Sequence, residues 1–190
     1  MKSPSILFIN GSLHGIDGNT FPLVNKLSEF FPGQYEIKHL SLCENKPHEE
    51  ICKLIDECEG IIFGTGTYWQ SWSSHLQKFF EEMVDYEGHK MWMGKPVCVI
   101  VTMHSVGGME VAGRIQSNLS MFGLVIPPMC NLVHSYVNFL ARKSSDDGDI
   151  WDERYLNVIA HNLITAIEKR SDYMSWQVET EDSHVIWCKK

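Results

Sequence analysis

Strand-like and helix-like patterns alternate along the chain. Ile6-Leu7-Phe8-Ile9 is an unbroken apolar run that predicts a first strand over residues 5–10. Over 20–31, Leu23, Val24, Leu27, Phe30 and Phe31 recur at helical spacing, and Pro32-Gly33 ends that helix. Tyr35-Glu36-Ile37-Lys38-His39-Leu40 alternates, as a half-exposed edge strand does. Residues 48–58 read as a short helix carrying Ile51, Leu54 and Ile55. Ile61-Ile62-Phe63 reads as a central parallel strand covered on both faces. A helix over 72–84 carries Leu76, Phe79, Phe80 and Met83, and Gly94-Lys95-Pro96 leads into Val97-Cys98-Val99-Ile100-Val101, the most apolar strand. A helix over 107–122 aligns Ile115, Leu119 and Phe122 until Gly123 stops it, and Leu124-Val125-Ile126 predicts the fifth strand. Residues 128–150 read as irregular, ending in the polar turn 143–149. A last helix over 151–169 buries Tyr155, Val158, Ile159, Leu163 and Ile167.

Five strands alternating with helices predict an α/β fold, a three-layer doubly wound parallel sheet. Right-handed crossovers, with the alternating second strand on an edge, lead to the order 2-1-3-4-5. Residues 1–170 are expected to form one domain. The tail 171–190, with Trp176 and Trp187 in polar sequence, is expected to pack on that domain or on a partner subunit.

A formal net charge of −8 argues against a nucleic-acid or anionic-membrane surface. No apolar run approaches the ~20 residues of a membrane helix. Cys43, Cys52, Cys58, Cys98, Cys130 and Cys188 are scattered, with no CxxC pair and no signal peptide before them, so they read as reduced thiols in a cytoplasmic protein.

In a sheet of this order, ligands bind beyond the carboxyl ends of the strands, where the strand order reverses. The loops after strands one, three and four should therefore build the site. The first is Gly11-Ser12-Leu13-His14-Gly15-Ile16-Asp17-Gly18-Asn19-Thr20. Its glycines permit close backbone approach, and the helix that follows adds open N–H groups and a positive dipole end. Ser12, Asn19 and Thr20 supply side-chain donors without a lysine or arginine, which suits a phosphate held by neutral groups. The same residues also read as a capped helix start, with Asn19 or Thr20 as N-cap and Pro22 in the first turn.

The second loop, Gly64-Thr65-Gly66-Thr67-Tyr68-Trp69-Gln70-Ser71-Trp72, places aromatic rings at a loop-to-helix junction. Tyr68 and Trp69 precede the helical period and are candidates to stack on a planar ligand, whereas Trp72 shares the spacing of Leu76 and Phe79 and reads as core. The third is Thr102-Met103-His104-Ser105-Val106-Gly107-Gly108. His104 reads either as a ligand-facing acid or as a surface histidine, and the glycine pair leaves backbone amides near the pocket.

Other chemistries lack their residues. There is no GxxxxGK[ST] for a P-loop, no Cys/His set at zinc spacing and no GxSxG elbow, so neither a metal site nor a hydrolase is expected. Glu81-Glu82 and Asp146-Asp147 read as solvated faces.

With the three loops placed, the chain resembles the flavodoxin-like NAD(P)H-dependent FMN reductases, with their quinone, azo and nitro reductase relatives. Gly11-Ser12-Leu13-His14 with Gly18-Asn19-Thr20 is similar to that family's GSxR…GNT signature, and Thr65-Gly66-Thr67-Tyr68 to its S-P-x-Y stretch. Ser74, Leu76, Lys78 and Phe79, then Gly94-Lys95-Pro96, Gly107-Gly108 and Gly123, continue the match over residues 5–127. His14 stands where the family often has arginine, Gly66 replaces the usual proline, and the compact cysteine cluster of the iron–sulfur members is absent.

The resemblance implies FMN as cofactor and NAD(P)H as donor, with electrons passed to a small acceptor. Phosphate would sit on Ser12, His14, Gly18, Asn19 and Thr20. The ring would lie between Thr65, Gly66, Thr67, Tyr68 and Trp69 on one side and Met103, His104, Ser105, Gly107 and Gly108 on the other, with His104 as the candidate proton donor. It also implies a homodimer. Two other readings share the fold: a non-enzymatic flavodoxin-type electron carrier, and an interaction domain without flavin.

Overall fold

The computed structural model describes residues 3–143 and 155–175. The strands are β1 (Ser5–Asn10), β2 (Glu36–Ser41), β3 (Gly60–Gly66), β4 (Val97–Met103) and β5 (Asn131–Ser135). The helices are α1 (Thr20–Ser28), α2 (His48–Glu57), α3 (Ser74–Glu82), α4 (Gly108–Phe122), α5 (Tyr136–Lys143) and α6 (Leu156–Glu168). All strand pairs are parallel, and the order is β2-β1-β3-β4-β5. The order read from the chain's patterns is the observed one.

Alternation along the strands sorts the core into two layers. Leu7, Ile9, Ile61, Phe63, Val97, Val99 and Val101 face α2, α3 and α4, where Ile55, Leu76, Phe79 and Ile115 meet them. Ile6, Phe8, Ile62, Cys98 and Ile100 face α1 and α6, against Leu23, Leu27, Ile159 and Leu163. Three residues expected in the core lie outside it: Phe30 and Tyr155 are exposed, just beyond the ends of α1 and α6, and Val158 is half-buried. Trp72 is buried, with the Arg114 guanidinium 4.5 Å above its ring.

The fifth strand needs correction. Val125 makes a single parallel bridge to Pro96 and the chain then leaves the sheet. Pro127 and Pro128 have no N–H to continue a ladder, and Met129 is left-handed at φ 62°. Pairing with β4 resumes only at β5, from Val99↔Asn131 to Met103↔Ser135. The stretch 128–150 expected to be irregular thus contains both β5 and α5. The start of the last helix at 151–154, most of the polar turn 143–149, and Trp176, Trp187 and Cys188 lie outside the described residues.

Lys95, from the Gly-Lys-Pro stretch, is itself buried. Its Nζ donates to the Ile55 carbonyl in the last turn of α2 and lies 3.8 Å from Cys58 Sγ. Burial pushes the amine pKa down and the Cys58 thiol up. Burial likewise pushes Cys98 up and Cys130 up to about 12. Because the thiolate is the reactive form, iodoacetamide at mildly alkaline pH should label the half-buried Cys43 well before either of them. Peptide mass spectrometry of the native protein checks this, and equal labelling of Cys98 and Cys43 would contradict the packing.

Candidate functional site

An open cleft of about 730 Å³ lies at the carboxyl ends of β1, β3, β4 and β5. The volume is in the range of small-molecule sites. From the first loop it is lined by Ser12, His14, Asp17, Gly18, Asn19 and Thr20.

That loop is held from below. The Gly11 amide donates to the Gly64 carbonyl at 2.7 Å, and Ser73 Oγ donates to the Gly11 carbonyl while capping α3 through the Leu76 amide. The chain then makes a 3-10 turn over Gly15–Asp17 and enters α1. Most of its amides are used internally: Ser12 to Asn10 Oδ1, Leu13 to the Tyr68 hydroxyl, Gly15 to the Ser12 carbonyl, Asp17 to His14 and Gly18 to Gly15. Among the described residues, the amides of His14, Asn19 and Thr20 have no acceptor. All three belong to residues that line the cleft.

Asn19 occupies the N-cap position, but its φ of −61° is helical and its side chain makes no cap bond. The capping reading of Asn19 therefore fails here, because an N-cap side chain needs a non-helical backbone to reach the first turn. The hydroxyls behave differently from the sequence expectation. Ser12 Oγ donates to Thr20 Oγ1 at 3.1 Å, and Thr20 Oγ1 lies 2.9 Å from Thr102 Oγ1. This buried chain ties the loop to β4 and spends the single O–H of Ser12 inside the protein.

In the second loop, Gly66, Thr67 and Tyr68 line the cleft. Thr65 does not: it is fully buried, and its hydroxyl bonds the Gly66 carbonyl at 3.1 Å. The Tyr68 hydroxyl accepts from the Leu13 amide at 3.1 Å, so its ring bridges the first two loops. Tyr68 and Ser71 exchange both backbone bonds, making a two-residue reversal with Trp69 and Gln70 at its tip. Both tip residues have positive φ, 48° and 62°, a conformation costing on the order of 1 kcal/mol for a residue with a side chain. Trp69 is fully exposed and does not line the cleft, so the expected aromatic pair reduces to Tyr68.

From the third loop Thr102, Met103 and His104 line the cleft. The His104 carbonyl accepts from the Val137 amide at 3.0 Å and from Ser135 Oγ at 3.3 Å, which fixes the backbone beneath its exposed side chain. Ser105, Gly107 and Gly108 lie off the cleft, with Gly108 packed against Val133 and Met103.

A further wall comes from residues passed over as irregular: His134, Tyr136 and Phe139. The His104 and Tyr136 rings are 6.0 Å apart, and those of His134 and Phe139 are 5.9 Å apart. The signal was the helical spacing of Tyr136, Phe139 and Leu140. Among the lining residues Asp17 is the sole carboxylate, three are histidines, and none is lysine or arginine.

The residues present fit FMN. Open amides at a helix start suit its phosphate, and the wall of aromatic rings across the cleft suits a flat ring system.

Residues 4–137 match the sequence profile of the family described as NADPH-dependent FMN reductase. A curated relative named flavodoxin, from Clostridium saccharobutylicum, is 26% identical over 117 residues, covering 56% of this chain and 71% of its own. Among solved structures, an oxidoreductase of Corynebacterium diphtheriae superposes with a TM-score of 0.70 at 16% identity, over 90% of this chain and all of that one. The flavoenzyme NAD(P)H:(acceptor) oxidoreductase FerB of Paracoccus denitrificans gives 0.68 at 22%, over 88% and 98%. At such identities the structural likeness is one of fold. The profile match extends over most of the chain and through every loop of the cleft except the end of α5, and on that ground the protein belongs to the NADPH-dependent FMN reductase family, as an NAD(P)H-dependent FMN oxidoreductase.

Proposed function

We propose that this enzyme delivers electrons from NAD(P)H to a small planar acceptor, a quinone, an azo or nitro compound, or free flavin. The observation that carries this reading is the aromatic wall of His104, His134, Tyr136 and Phe139 across an open cleft from the phosphate-binding loop. When bound, FMN supplies hydride uptake from the nicotinamide and electron release to the acceptor. The chain's own residues bind and orient. The backbone amides of His14, Asn19 and Thr20 and the Asn19 side-chain amide would hold the phosphate, with the Gly18 backbone allowing its approach and the Ser12 hydroxyl bracing the loop through its bond to Thr20. Gly66, Thr67, Tyr68 and Met103 would border the ring, and the His104 imidazole N–H would donate a proton to the reduced acceptor. Thr65, Trp69, Ser105, Gly107 and Gly108 would support these loops from behind or at the rim.

The apolar rim outside the cleft, with Ile16, Trp69 and Val106 exposed, supports a homodimer whose interface borders the site. Free cysteines without a bridge among the described residues support a cytoplasmic setting. Residues up to about 170 would form the flavin domain, with the tail beyond it packing on the domain or the partner.

The test is a visible spectrum after FMN loading and desalting, followed by NAD(P)H without air and then a quinone. Retained flavin that NAD(P)H bleaches and the quinone restores, with steady turnover, is the expected result. Slow bleaching without turnover would instead fit an electron carrier. The single substitution Asn19→Leu separates binding from folding. Since Asn19 makes no cap bond, stability should change by less than about 0.5 kcal/mol. Leucine keeps the backbone N–H and removes only the side-chain carboxamide, and loss of that one bond to a charged phosphate should raise the FMN Kd roughly tenfold. An unchanged FMN Kd would remove the Asn19 side chain from the site.

A further inference from the structure

Asn10, the last residue of β1, is 1% exposed and does not line the cleft, yet its side chain shapes the loop above it. Its Oδ1 accepts the Ser12 amide at 3.0 Å, and its Nδ2 donates to the Gly15 carbonyl at 2.8 Å. The two bonds staple the beginning of the loop to its middle. Gly15 sits at φ +51°, and a Cβ there would lie 2.8 Å from Cys43 Sγ. The same carbonyl also accepts the Gly18 amide at 3.2 Å.

These contacts decide the polarity of the cradle. A carbonyl oxygen turned toward the cleft would repel a phosphate, and the Asn10 amide holds the Gly15 carbonyl toward the interior instead. With that oxygen and the Ser12 amide both engaged, the open groups on the cleft side are the amides of His14, Asn19 and Thr20. We infer that Asn10 is a positioning residue that shapes the loop to select a phosphorylated flavin over the unphosphorylated form. This inference rests on the reading that residues 12–20 hold the FMN phosphate.

The test titrates FMN and riboflavin by flavin fluorescence against the full chain and its Asn10→Ser and Asn10→Asp variants. Serine can keep a weaker bond to the Ser12 amide but is too short to reach the Gly15 carbonyl. Aspartate keeps the acceptor for Ser12 but loses the donor to Gly15 and sets a negative charge beneath the cradle. The unsubstituted protein should prefer FMN, and both variants should lose that preference by roughly 10- to 100-fold, through the FMN constant. The ratio of the two constants isolates positioning, because partial unfolding scales both alike. If aspartate prevents folding, serine still decides. Variants that keep the preference, or that weaken both flavins equally, would overturn the role of Asn10 while leaving the phosphate site standing. An unsubstituted protein that binds riboflavin as tightly as FMN would overturn the phosphate reading itself and this inference with it.

Discussion

Gly64→Ala is expected to damage stability and cofactor binding together. A Cβ at this position would lie 2.7 Å from Phe8 Cε2 and 2.7 Å from Thr20 Cγ2. Neither neighbour can yield cheaply. Phe8 is fully buried, with its ring 5.8 Å from His39 and 6.3 Å from Phe21. Thr20 is anchored by its hydroxyl to Ser12 and Thr102. Overpacking at such a site costs about 1–3 kcal/mol. The displaced element is the start of α1, which carries the open amides of the cradle. A shift of a few tenths of an ångström there should raise the FMN Kd about tenfold. Denaturant unfolding and flavin titration measure the two effects, and a variant unchanged in both would show that β3 and α1 are not in close contact at this point.

Phe63→Ala should cost more stability and spare the site. Phe63 is 1% exposed, with its ring 5.8 Å from Phe79 and 6.2 Å from Phe80. Its removal opens a cavity in the layer between the sheet and α3 and α4, for a loss of about 3–5 kcal/mol. A domain of this kind has ~5–15 kcal/mol in total, so the melting temperature should fall by on the order of 10 °C. Phe63 points away from the α1 layer and does not line the cleft. FMN affinity measured well below the melt should therefore stay near that of the unsubstituted protein. A large loss of affinity would mean that this layer of the core sets the geometry of the loops.

The contrast between these two positions mirrors what can be read along the chain. Phe63 declares its burial locally, in a continuous apolar run. Gly64 declares only that it lacks a side chain, and the reason, a ring from β1 and a methyl from α1 on either side of it, comes from residues far away in sequence. Trp72 and Trp69 divide in the same way. Trp72 shares the helical period of its neighbours and is core, as its spacing implied. Trp69 precedes the period, and its outward placement at a left-handed tip follows from the bonds between Tyr68 and Ser71 on either side. The fifth strand shows the limit most directly. Leu124-Val125-Ile126 has a strand's composition, but the prolines after it interrupt the ladder until Asn131.

By itself the sequence determined the class of fold, the strand order and the end of the sheet where ligands gather, because hydrophobic period and right-handed crossover are properties of neighbouring residues and of chirality. It also determined the donor types of the first loop and the absence of lysine and arginine from it. The tertiary structure alone decided which of those donors remain open, since hydrogen bonds pair each group with one partner and the partners of Ser12, Leu13 and Thr20 come from Asn10, Tyr68 and Thr102. It alone brought His134, Tyr136 and Phe139 to the cleft, because the register of β5 against β4 sets where α5 begins.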